Sequence, residues 1–186
     1  MVRAFISIDF TDPNIIQAVS EIQGSIRKSG AKLRMVNSKL LHMTLEFLGE
    51  ISEIKIQKVK EILDSISFNS FFLDVNAINV LPNEKHIRVV YCEINGNVEI
   101  LKAIQRQLRV KLRDCDFKTD NRSFKPHLTI ARVKSSQNRK ELMLAINTLS
   151  NIKCGRQEIT SIKLKQSILK SEGPEYSVLH EICAKT

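Results

Sequence analysis

Apolar and polar residues alternate from Arg3 to Phe10 with several β-formers, which predicts a strand. Asp12-Pro13 then reads as a cap and a first-turn proline. Ile15, Ile16, Val19, Ile22 and Ile26 recur at helical spacing, and Gly30 suits the stop. A short strand is expected at Leu33 to Val36, and a second at His42 to Leu48, ended by Gly49. Ser52 can cap a helix with Ile56, Val59, Ile62 and Leu63 on one face. Strands follow at Phe71 to Leu81 and His86 to Ile94, with a turn at Pro82-Asn83 between them.

Beyond the Asn95-Gly96 turn, Val98 to Leu112 keeps a helical period and 114–125 is polar and irregular. His127 to Val133 reads as a strand, Ser136 to Leu149 as a helix, and Ile159 to Leu169 as a strand. Gly173-Pro174 turns the chain into a last strand, Tyr176 to Ala184. Helices and hairpin-forming strands in this order argue for an α+β fold rather than a doubly wound parallel sheet. No linker rich in Gly, Pro or Ser interrupts the chain, so residues 1–186 read as one domain with halves of roughly 1–95 and 96–186.

Composition narrows the function. With 42% apolar residues the chain can bury a real core. No run approaches the ~20 apolar residues of a membrane span, and the N-terminus has no signal-peptide pattern. No membrane contact and a cytoplasmic location are expected. Cys92, Cys115, Cys154 and Cys183 make no C-x-x-C pair and read as reduced packing residues. The net charge of +9 favours phosphate-bearing partners, although plain solubility would also account for it.

One segment recurs. Leu41-His42-Met43-Thr44-Leu45 resembles Pro126-His127-Leu128-Thr129-Ile130, and the histidines lie 85 residues apart, close to half the chain. This fits an internal duplication with two lobes facing each other across a pseudo-twofold axis. In a strand, residues i and i+2 share a face. His42 and Thr44 therefore emerge together, as do His127 and Thr129, while Met43, Leu45, Leu128 and Ile130 point into a core. Two imidazoles and two hydroxyls in one cleft suit a phosphate ester. Threonine hydroxyls donate to non-bridging oxygens. One neutral histidine can take a proton and the other, as imidazolium, can give one. The two segments are too alike for this reasoning to say which histidine does which.

Around these motifs the chain resembles the two-histidine phosphoesterases, and within them the RNA 2′,3′-cyclic phosphodiesterases, also called 2′-5′ RNA ligases. The resemblance runs along nearly the whole chain. It rests on Arg3-Ala4-Phe5-Ile6-Ser7-Ile8-Asp9, on Leu41 to Gly49, and on Pro126-His127-Leu128-Thr129-Ile130-Ala131-Arg132-Val133. It implies a bilobal α+β fold with lobes interleaved, two pseudo-symmetric antiparallel sheets, helices outside and the site between them. It also implies that water opens the cyclic phosphate at an RNA 3′ end to leave a 2′-phosphate, on substrates that include tRNA-like fragments. His42 would be the proton donor and His127 the acceptor, with Thr44 and Thr129 on the phosphate oxygens. No cofactor and no metal are implied, and a monomer is expected.

Arg132 matches a basic residue of that family. On ideal parity it faces away from His127, so it is either a solvated strand-end charge or, if the strand bends, a phosphate contact. Lys125 reads as a surface charge that could steer RNA. Glu46 shares the parity of His42 and Thr44 and reads as a polar edge residue, the alternative being a side chain that orients a neighbour. His86 and His180 lack a partner threonine and read as ordinary strand residues.

Two histidines without a third ligand do not make a zinc site, and no Gly-rich phosphate loop supports an ATP-driven ligase. The competing readings are a 2′-5′ phosphodiesterase or reversible ligase using the same site, and a non-catalytic RNA-binding module. With no Trp and two Tyr, stacking platforms for such a module are scarce.

Overall fold

The structure, a computed structural model, describes every residue except 121, 172 and 186. Among the described residues are nine strands and four α-helices. The first part of the chain forms β1 (Val2–Asp9), α1 (Pro13–Arg27), β2 (Leu33–Met35), β3 (His42–Ile51), α2 (Glu53–Asp64) and β4 (Phe71–Asn83). β5 (His86–Gly96), α3 (Val98–Asp114), β6 (His127–Val133), α4 (Arg139–Thr148), β7 (Lys153–Ile159), β8 (Ser161–Leu169) and β9 (Pro174–Cys183) follow.

Local chemistry sets the helix boundaries. The Asp12 carboxylate accepts from the amides of Asn14 and Ile15, and Pro13 occupies the first turn where no amide bond is needed. Gly30 sits at φ +69° just past α1, a backbone that only glycine adopts freely. Ser52 caps α2 through the Lys55 amide.

The strands form two antiparallel sheets, ordered β3-β1-β8-β9 and β2-β6-β5-β4-β7. Helices α2 and α3 pack outside the first sheet, α1 and α4 outside the second. The fold is therefore bilobal α+β. Each sheet takes strands from both ends of the chain, so the lobes share one continuous apolar core. Where the sheets meet, Cα atoms of β3 and β6 come within 8 Å. No helix among the described residues is long and apolar enough to cross a membrane.

Three elements depart from the sequence pattern. The pattern does not predict β7, because Lys-Cys-Gly-Arg-Gln-Glu offers little β-propensity and forms an edge beside β4. The β4–β5 hairpin turns two residues later than Pro82-Asn83, which still pair with Ile87 and His86. Helix α4 starts at Arg139 instead of Ser136, after Asn138 takes a left-handed conformation at φ +52°.

Candidate active site

The motif strands carry the same burial alternation. From His42 to Phe47 and from His127 to Arg132, the residues run half-buried, buried, half-buried, buried, buried, exposed. Two successive buried residues mark a β-bulge in each strand. On β3, Ser7 pairs with Thr44 and Ile6 with Glu46, which leaves Leu45 as the extra residue. On β6, Tyr91 pairs with Thr129 and Val90 with Ala131, which leaves Ile130 extra.

The bulges decide the orientation of Arg132, which parity left conditional on a bend, and correct the reading of Glu46. After Ile130 the parity is reversed, so Arg132 pairs with Val89 and returns to the face of Thr129 and His127. After Leu45, Glu46 turns the other way and is buried at 3% exposure beneath α3. There it accepts hydrogen bonds from Gln105 Nε2, Arg109 Nε and the Asp120 amide, each at 3.1 Å. Glu46 thus ties α3 and Asp120 to β3 and is no edge residue.

Two buried glutamines hold these distortions. Gln23 of α1 donates to the carbonyls of Val36 at 2.7 Å and Ile130 at 2.8 Å, the second being the bulge residue itself. Gln105 of α3 serves Glu46 in the corresponding place on β3. Each helix reaches the motif strand of the opposite half of the chain.

Both imidazoles are oriented the same way. His42 Nδ1 lies 2.9 Å from the Leu40 carbonyl and His127 Nδ1 lies 2.7 Å from the Lys125 carbonyl. A carbonyl oxygen only accepts, so each Nδ1 carries the proton and donates it, leaving Nε2 as the free nitrogen. The chain's two tyrosines pack against them: Tyr176 edge-on to His42 and Tyr91 edge-on to His127 at 5.5 Å. Phe5 adds a second ring 5.2 Å from His42.

Cross-strand neighbours repeat as well. Asp9 stands opposite His42, and Glu93 opposite His127. Ser7 stands opposite Thr44, and Tyr91 opposite Thr129. The hydroxyls of Ser7 and Tyr91 are buried without a hydrogen-bond partner among the described residues.

The electrostatics are not symmetric. Lys165, 7% exposed and absent from the sequence-derived candidates, pairs with Asp9 on the His42 side, where Lys163 also reaches Asp9 at 3.3 Å. Burial holds His42 below its ordinary pKa. The Leu40 carbonyl and Asp9 oppose that, while Lys165 and Arg132 add to it. Signals for Lys165 are present in the alternation of Lys163 and Lys165 on one strand and in Asp9 on the parity of Phe5 and Ser7. Their convergence is not.

Lys125 reaches over the Tyr91 ring at 5.1 Å, at the His127 end of the cleft. His86 is exposed at the β4–β5 hairpin, and His180 bonds Asp64 of α2 at 2.6 Å on the far face of its sheet. Neither shares the cleft. No group of three or more His, Cys, Asp or Glu side chains among the described residues converges as a metal site would require.

Two bulged strands from two facing sheets, each presenting a His and a Thr to one cleft, define the class of the two-histidine phosphoesterases. The family profile described as the AKAP7 2′5′ RNA ligase-like domain matches residues 4–183, and the chain belongs to that family. It is 36% identical to the RNA 2′,3′-cyclic phosphodiesterase of Methanocaldococcus jannaschii, over 96% of this chain and 99% of that protein. It is 31% identical to the Aeropyrum pernix protein of the same name, over 91% and 97%. Among solved structures, a Thermus thermophilus protein superposes with a TM-score of 0.81 at 23% identity, covering 97% of each chain. Escherichia coli LigT complexed with 3′-AMP gives 0.76 at 20%, covering 100% of this chain and 98% of that one.

Proposed function

We propose that this protein hydrolyses the 2′,3′-cyclic phosphate at RNA 3′ ends to a 2′-phosphomonoester, with His42 as proton donor and His127 as acceptor. The observation that carries the reading is the matched pair of Nδ1–carbonyl bonds, which leaves Nε2 of each ring to exchange a proton, on strands β3 and β6 that approach where the sheets meet. The names of the archaeal relatives supply the substrate class.

In the reaction, His127 Nε2 takes a proton from water as the water oxygen bonds to phosphorus. The P–O3′ bond breaks, and His42 Nε2 gives its proton to O3′. Thr44, Thr129 and Arg132 donate to the non-bridging oxygens, where charge accumulates. No step passes through a metal. The depressed pKa of His42 makes its protonated form a stronger acid, and the bound phosphate anion supplies the negative charge that holds the proton until O3′ departs.

The test is incubation of the protein with a nucleoside 2′,3′-cyclic phosphate and identification of the product isomer. A 2′-phosphate is the expected product. Recovery of unchanged cyclic phosphate, with RNA still bound, would make the protein a binding module instead.

A further inference from the structure

Arg132 and Arg34 stand directly opposite each other on β6 and β2. Directly opposed residues share a face of the sheet, so the Ile130 bulge that turns Arg132 into the cleft places Arg34 there too. Like charges in this position repel. Among the described residues neither guanidinium has a carboxylate within ion-pair distance, although carboxylates elsewhere capture Arg109, Arg122 and Arg156.

Arg34 also crosses from one sheet to the other. A side chain at Gly173, in the β8–β9 turn, would come within 3.3 Å of its Nη2. The charges of Arg132, Arg3 and Arg34 all bear on the Tyr176 phenol, which burial pushes up and these cations pull back. Three guanidiniums from three strands of two sheets therefore converge on one end of the cleft.

That end breaks the twofold pattern. At the position after each bulge pair, β3 presents Phe47, 61% exposed, where β6 presents Arg132. In its own sheet β3 is an edge strand, whereas β6 has β2 beyond it, and β2 carries Arg34. Phe47 joins Phe5 and Tyr176 in a ring cluster, and the arginines lie beside that cluster. A substrate with a single phosphate between the histidines gives no use for a second arginine opposite Arg132. A substrate whose chain continues does.

We infer that Arg34, with Arg132 and Arg3 beside it, receives the internucleotide phosphodiester on the 5′ side of the terminal nucleotide. The protein then prefers an oligonucleotide end over a free nucleoside cyclic phosphate. This rests on the hydrolytic reading above. Opposed Cβ atoms lie about 5 Å apart, and two long planar forks from such positions can splay to successive phosphates.

The experiment compares kcat/KM on three substrates: a nucleoside 2′,3′-cyclic phosphate, a dinucleotide ending in the same cyclic phosphate, and that dinucleotide with a neutral methylphosphonate linkage. Wild-type protein should favour the charged dinucleotide over both others by about tenfold, the usual scale for one charge-assisted hydrogen bond. Arg34→Gln should shrink that ratio to near one, mostly through KM, and Arg34→Lys should restore part of it. Equal kcat/KM on the three substrates in wild type, or the same ratio in Arg34→Gln, would overturn the subsite while leaving the hydrolytic reading intact. Absence of turnover on all three would instead remove the reading on which the subsite rests.

Discussion

Tyr176 stands edge-on to His42, ring centroids 5.1 Å apart and planes at 80°. Tyr91 holds His127 in the same way at 74°. Each motif imidazole is therefore clamped between a backbone carbonyl at Nδ1 and an aromatic edge. On the His42 side the ring also excludes water, and burial is the main cause of that histidine's depressed pKa. Replacing Tyr176 with Ala should hydrate His42 and raise its pKa toward the ordinary value. Tyr176→Phe keeps the ring and should shift it little. Titration of the His42 ring protons by NMR reads this directly, and an unmoved pKa in Tyr176→Ala would contradict the burial account.

The same depression has a consequence for stability. His42 titrates lower in the folded protein than its ordinary 6.5. As pH falls through about 6.5, the unfolded chain takes up this proton first, so this group makes folding less favourable as pH drops. The loss stops once pH passes below the folded pKa. Urea midpoints on either side of that window should fall less in His42→Gln than in wild type. An equal fall in both proteins would mean that His42 does not contribute.

Catalysis by the pair should be bell-shaped in pH, with one group required protonated and one deprotonated. His42→Ala or His127→Ala should each cost about 100-fold or more in kcat/KM. The double variant should lose far less than the product of the single losses, because the two act in one step. Multiplicative losses would show that the histidines work independently.

Gln23 sits behind the sheet on α1, yet it holds the bulge that aims Arg132. Gln23→Leu removes one donor each from the part-buried Val36 carbonyl and the buried Ile130 carbonyl, which keeps the Val36 amide, and should cost about 1–3 kcal/mol of stability. It should also let the Ile130 register relax, turning Arg132 away and lowering kcat/KM well below the temperature of unfolding. Full activity in a destabilised Gln23→Leu protein would show that the bulge persists without the glutamine.

Hydrolysis of the cyclic phosphate should survive chelation with EDTA, since two histidines and two threonines supply the proposed chemistry. Loss of turnover restored by a divalent cation would replace the metal-free mechanism.

Much of this is legible in the chain. Period-two and helical spacing locate both motif strands, the four helices and most hairpins within a few residues, because each depends on local burial. His42, Thr44, His127 and Thr129 can be paired on faces from i, i+2 parity alone, since neither motif strand is interrupted before its threonine. The α+β class follows from element order.

What lies beyond the sequence is decided by contacts between distant segments. Parity misplaces Arg132 and Glu46 because each follows a bulge, and the glutamines that serve those bulge segments come from helices 107 and 59 residues away. The convergence of Lys165 and Asp9 spans 156 residues, and the pairing of Arg34 with Arg132 requires a three-residue strand to choose β6 as its neighbour. A strand's own pattern reports which side of it is buried. Which residue is squeezed out of register, and which charges then meet in the cleft, depends on partners that only the folded chain brings together.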